Sequence, residues 1–159
     1  MRFFLIDRVD ALTPGEFARG VKNITLTDEI LFDHFPGHPV YPGSLLIESM
    51  AQLGGLLAEA SYHAIYPNDT RRAVLAQVDQ ARFQTASTPG DQLALEARLV
   101  SLLSAAARID VSINCADRDV ASASLTFRLL SVPTPEVHRQ RLELYRLWTR
   151  HLNPPPELR

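Results

Sequence analysis

Through the second half of the chain apolar and polar residues alternate, and that period sets the first structural expectation. Leu93, Leu95, Ala97 and Leu99 mark one run, Ile109, Val111, Ile113 and Cys115 a second, and Ala121, Ala123, Leu125, Phe127 and Leu129 a third. A period of two turns one face of each run toward a core, so each reads as a half-buried strand. The turns Pro89-Gly90-Asp91 and Ala116-Asp117-Arg118-Asp119 separate them. Val74 to Phe83 reads as a further strand, Glu16 to Thr27 as one with an irregularity near Gly20, and Phe3 to Ile6 as a short strand or lead-in.

Two stretches break the period. From Gly43 to about Ile65, Leu45, Leu46, Ile47, Met50, Leu53, Leu56, Leu57 and Ala60 occupy nearly the whole helical circumference, which predicts a buried helix. Pro67-Asn68-Asp69 closes it. After Pro133 and Pro135 a last helix is expected over roughly residues 136–152, with Val137, Leu144, Tyr145, Trp148 and Leu152 on one face and Pro154-Pro155-Pro156 as its stop. Residues 28–43 hold three prolines and two glycines and read as loop. Long antiparallel strands with one apolar face each need a cover, and the buried helix is the candidate. The class is therefore α+β. The expected division is a main domain over 1–133, then an amphipathic helix and proline-rich tail over 134–159.

Composition narrows the partners. At 159 residues, 46% hydrophobic and 21% charged, the chain suits one soluble domain with a sizeable core. A formal net charge of −2 gives no reason to expect nucleic acid. Cys115 has no partner for an internal disulfide and is expected to be a buried structural thiol. The apolar run Phe3–Ile6 is too short for a signal-peptide core, and no stretch approaches the ~20 apolar residues of a membrane span. A cytoplasmic protein without a membrane partner is the expectation.

The segment that carries chemistry runs from His34-Phe35-Pro36-Gly37-His38-Pro39-Val40-Tyr41-Pro42-Gly43 into Ser44-Leu45-Leu46-Ile47-Glu48-Ser49-Met50-Ala51-Gln52. His34 is an imidazole in a stiff loop. Glu48 is an acid on an otherwise apolar helix, where burial favours the protonated form. The helix start at Pro42-Gly43 brings free N–H groups and a positive dipole end beside the loop. A base, an acid and an anion-stabilising helix start form a plausible proton-transfer site. Each taken separately has a blander reading: a surface histidine, a solvated glutamate, a turn.

Together they resemble the FabZ-type 3-hydroxyacyl-acyl carrier protein dehydratases. The likeness continues through Val78-Asp79-Gln80-Ala81-Arg82-Phe83 and Pro89-Gly90-Asp91-Gln92-Leu93, covering roughly residues 1–131. It implies the hotdog fold, a long curved antiparallel sheet wrapped around one central helix. It implies His34 as the base that removes the α-proton and Glu48 as the acid that protonates the departing 3-hydroxyl. Gly43 would offer its N–H to the thioester oxygen, Val40 its carbonyl to the histidine, and Gln52 would support the acid. It also implies a homodimer whose sites draw on both subunits, with three dimers as a further assembly, and an acyl carrier protein as the bearer of the substrate. Glu rather than Asp at position 48 resembles the dehydratases that do not also shift the double bond.

The chain departs from the family at several positions. Tyr41 and Ser44 replace apolar residues beside the site and are candidate substrate-tunnel positions, while His38 is expected to face solvent. After Arg82 the basic residues that help dock the carrier give way to Gln84, Thr85 and Ala86. Residues 134–159 hold five arginines against three acids, so Arg139, Arg141, Arg146 and Arg150 join Arg82 as candidate carrier contacts. The helix could equally serve only to pack. No metal or cofactor is expected. A non-catalytic hotdog partner subunit and a hotdog thioesterase are the competing readings, because fold does not fix function.

Overall fold

The structure, a computed structural model, describes residues 3–158. In chain order its elements are β1 (Arg8–Thr13), β2 (Phe17–Asn23), a 3-10 turn (Glu29–Phe32), α1 (Gly43–Ile65), β3 (Arg72–Phe83), β4 (Gln92–Leu102), β5 (Ala106–Cys115), β6 (Arg118–Leu130) and α2 (Pro135–Thr149). The strands form one antiparallel sheet in the order β1-β2-β4-β5-β6-β3. The alternation read from sequence is the inner face of that sheet: Leu93, Leu95, Ala97, Ile109, Val111, Ile113, Ala121, Ala123, Leu125, Phe127 and Leu129 are all buried.

α1 touches all six strands, so the sheet curves around it in the hotdog arrangement. Its central turns lose all contact with water, with Met50, Leu53, Leu56 and Leu57 fully buried. Among the described residues no helix is long and apolar enough to cross a membrane.

Three local results sharpen the reading of the sequence. Of the two readings of Phe3–Ile6, the structure has the lead-in, and the edge strand β1 follows it. Its exposed Arg8 and Asp10 pair with each other and hide from a hydropathy scan the fully buried Val9 between them. The irregularity expected near Gly20 is found on the β1 side, where the register shifts opposite Gly20, while β2 pairs regularly with β4 from Phe17 to Asn23. Gly20 is needed because a Cβ there would lie 2.9 Å from the Arg8 carbonyl oxygen, where β1 bulges between Val9 and Ala11.

The third concerns the carboxyl end. β1 and β3 lie at opposite edges of the sheet, and α2 reaches both. It packs on β1, while Arg141 donates to the Ala73 carbonyl at the start of β3, 2.9 Å away. α2 thus spans the side of α1 that the sheet leaves open, with Tyr145 and Trp148 in the common core. Across the boundary expected at 133/134, these two residues of α2 pack into the same core as the sheet.

Candidate active site

The loop before α1 is tied to itself. Phe35 and His38 exchange backbone hydrogen bonds at 3.0 and 2.9 Å around Gly37, whose φ of +73° suits glycine. The Val40 N–H donates to the His34 carbonyl at 2.8 Å, and His34 Nδ1 lies 2.7 Å from the Val40 carbonyl oxygen. A carbonyl only accepts, so Nδ1 carries the proton and Nε2 presents a lone pair. The ring also stacks on Phe35 at 4.2 Å. One residue thereby fixes both the backbone and the tautomer of His34.

Pro42 caps α1 without a side-chain hydrogen bond, and the Leu45 and Leu46 N–H groups both return to its carbonyl. Among the described residues the Gly43 and Ser44 N–H groups have no partner. They point from the positive end of a 23-residue helix. Gly43 has no room for a side chain: a Cβ would meet the Phe83 ring at 3.0 Å, so the end of β3 and the start of α1 are in close contact.

One turn on, Glu48 is half-buried, less enclosed in the single chain than the apolar helix suggested. Gln52 Nε2 donates to Glu48 Oε1 at 3.0 Å and to the Phe3 carbonyl at 2.9 Å, while its Oε1 accepts from the Leu5 N–H at 3.0 Å. Glu48 opens on a cavity of about 1030 Å³ between α1, β3 and α2, with Phe3 and Phe4 at its rim. His34 does not line that cavity, and it shares no hydrogen bond with Glu48 within one chain. The anticipated tunnel residues, Tyr41 and Ser44, do not line it either. Tyr41 is 3% exposed, its ring beneath Lys22 and its phenol pushed up to about 12 by burial, with Asp28 and Asp7 adding. Ser44 faces solvent.

The arginines separate into two groups. Arg82, Arg139, Arg146 and Arg150 are exposed, with Arg139 paired to Glu136 at 2.6 Å. Arg141, anticipated as a solvated carrier contact, turns inward instead. It pairs with Glu59 of α1, a carboxylate that is 1% exposed and that also takes Arg72 Nη1 at 2.9 Å and the Ala73 N–H at 2.9 Å. Arg72 Nε donates to His138 Nδ1 at 2.9 Å, and His138 Nε2 lies 2.6 Å from the Val132 carbonyl. Burial, together with the Glu59 charge, pushes the Tyr145 phenol well above its usual range. This buried cluster was missed in the sequence. The signal was there: Glu59 interrupts an apolar helix just as Glu48 does. Among the described residues no group of three or more His, Cys, Asp or Glu could hold a metal ion.

The chain as a whole has relatives among known proteins. The family model for FabA-like domains matches residues 1–124. The chain belongs to the FabA-like family. Among its relatives the FabZ 3-hydroxyacyl-acyl-carrier-protein dehydratase of Sulfurovum sp. is 35% identical over 125 residues, covering 77% of this chain and 84% of that one. The FabZ of Symbiobacterium thermophilum is 35% identical over 139 residues, 86% of this chain and 94% of its own. Among solved structures the dehydratase heterocomplex ApeI:P of Xenorhabdus doucetiae superposes with a TM-score of 0.66 at 18% identity, over 81% of this chain and 84% of that one. The FabA-like match ends within β6, so α2 and its buried arginine lie outside it.

Proposed function

We propose that this protein removes water from a 3-hydroxyacyl chain carried as a thioester on acyl carrier protein. The product is the trans-2-enoyl thioester, in fatty-acid or a related specialised biosynthesis. One observation carries the reading: a histidine with Nε2 free and a glutamate on an apolar cavity are each held in place, yet do not meet within one chain. A homodimer that sets His34 of one protomer against Glu48 of the other would complete two equivalent sites, as isologous symmetry requires.

The chemistry follows from the groups present. His34 Nε2 takes the α-proton, and the electrons of that C–H bond move toward the thioester carbonyl. The Gly43 and Ser44 N–H groups hydrogen-bond the oxygen where negative charge develops. The charge then collapses into the new double bond and expels the 3-hydroxyl, which takes a proton from Glu48 and leaves as water. His34 ends protonated and Glu48 ionised, and proton return between them resets the site. No redox partner is needed. Arg82, Arg139, Arg146 and Arg150 are the proposed contacts for an acidic carrier, and Arg141 is withdrawn from that set.

The test is turnover of carrier-bound 3-hydroxyacyl chains by wild type, His34→Ala and Glu48→Gln. Each variant should lose roughly 10²–10⁴-fold in rate. Unfolding the two variants together and refolding them should restore about a quarter of wild-type turnover, because half the dimers then carry one intact site. No recovery would remove the shared site, and release of free thiol by the wild type would move the assignment to thioester hydrolysis.

A further inference from the structure

We infer that α2, which lies beyond the family-matched segment, is the far wall of the acyl pocket and sets which acyl chain lengths the protein accepts. The inference rests on the dehydratase reading for the identity of the occupant. If Glu48 protonates the 3-hydroxyl, carbon 3 lies at Glu48, and the carbons beyond it must enter whatever space adjoins that acid. The adjoining space is the cavity of about 1030 Å³, at the upper end of the range for small-molecule pockets.

Two facing stretches of its wall suit an alkyl chain. On α1, Ala51 and Gly55 follow Glu48 along one helical stripe, descending about 10 Å from acid to glycine. Gly55 leaves real room, since a Cβ there would touch only the Phe127 ring, at 3.6 Å. Opposite them α2 presents Val137, Leu144, Leu147 and Trp148, spaced to share one helical face, beside the polar Glu136, Gln140, Arg141 and Glu143. Val137 and Leu147 are 38% and 49% exposed, apolar side chains at a rim that the single chain leaves uncovered.

The wall is also fixed. Arg141 is paired with buried Glu59, Arg72 reaches His138, and Tyr145 and Trp148 are in the core. These contacts anchor α2 beside the cavity, so its side chains set the available depth.

Bulk added to that wall tests the inference. Leu144→Trp and, at the half-exposed rim, Leu147→Trp would be compared with wild type for affinity toward butanoyl- and dodecanoyl-pantetheine. These saturated thioesters lack the 3-hydroxyl and report binding alone. Wild type should prefer the dodecanoyl thioester. In both variants the dodecanoyl-to-butanoyl affinity ratio should fall about tenfold or more, since each methylene denied burial costs roughly fourfold. The kcat/KM ratio for the matching 3-hydroxyacyl carriers should fall in parallel. A ratio equal to that of wild type in the folded variants, or a wild type with no chain preference, would overturn the role of α2. A shifted binding ratio with no turnover on any chain would remove the dehydratase reading and leave the wall in place.

Discussion

Replacing Glu59 by glutamine tests the clamp between α1, β3 and α2. The side chain keeps its size, and its amide oxygen can still accept from the Ala73 N–H. What disappears is the charge facing two guanidinium groups, of which Arg72 is 4% exposed at its side chain and Arg141 32%. The amide N–H₂ would also oppose an arginine N–H, donor against donor. Leaving one member of a buried ion pair unmatched costs about 3–5 kcal/mol, whereas an exposed pair contributes about 1 kcal/mol or less. The pair Arg19–Glu96, with its arginine 53% exposed, is the internal comparison. Urea unfolding at one fixed protomer concentration, needed because assembly contributes to stability, should show Glu59→Gln losing at least 3 kcal/mol and Glu96→Gln under 1 kcal/mol. The melting temperature of Glu59→Gln should drop by roughly 10 °C. Trp148 is the only tryptophan and is 2% exposed, so its fluorescence reports on α2 directly. In Glu59→Gln its red shift should precede the loss of β-sheet signal. Equal losses in the two variants would refute the argument that this cluster, rather than apolar packing alone, holds α2.

Two further outcomes follow from local geometry. Gly55→Ala should raise stability by about 0.5–1 kcal/mol, the ordinary gain for alanine over glycine inside a helix, because its Cβ meets only Phe127 at 3.6 Å. Gly54→Ala should gain less or lose, since there the Phe127 ring stands at 3.1 Å and must move. Urea midpoints that rank Gly54→Ala above Gly55→Ala would contradict this. Burial holds the His63 imidazole below its ordinary value, against the opposing pull of Glu59. Below about pH 6.5 the unfolded chain therefore binds protons that the folded one does not. Stability should fall as pH drops from neutrality toward the depressed value, and His63→Gln should flatten that part of the urea-derived profile. A wild-type profile with the same slope as the variant would contradict it.

The elements were legible wherever one period dominated. α1 was readable because its apolar positions leave no polar face, and β4, β5 and β6 because serines, charges and apolar residues alternate without interruption. β1 was not, since a short edge strand with Arg8 and Asp10 facing water carries only Val9 as a buried marker. The chemical segment was legible because proline and glycine leave its loop few conformations, so residue types and spacing fix the geometry. Arg141 was misjudged for a physical reason: hydropathy reads a charged residue as solvated, and only the fold brings Glu59 within its reach. The cavity wall was hidden in the same way. Leu144 and Trp148 read as packing residues, and nothing local shows that part of their face borders empty space.

Gln52 uses both ends of its amide, one on the Leu5 N–H and the other shared between the Phe3 carbonyl and Glu48. The seating of the amino-terminal segment and the orientation of the acid are therefore two readouts of a single equilibrium. Whatever pulls residues 3–5 away from α1 takes two of the three bonds that fix the amide, and leaves it held only by the carboxylate it orients.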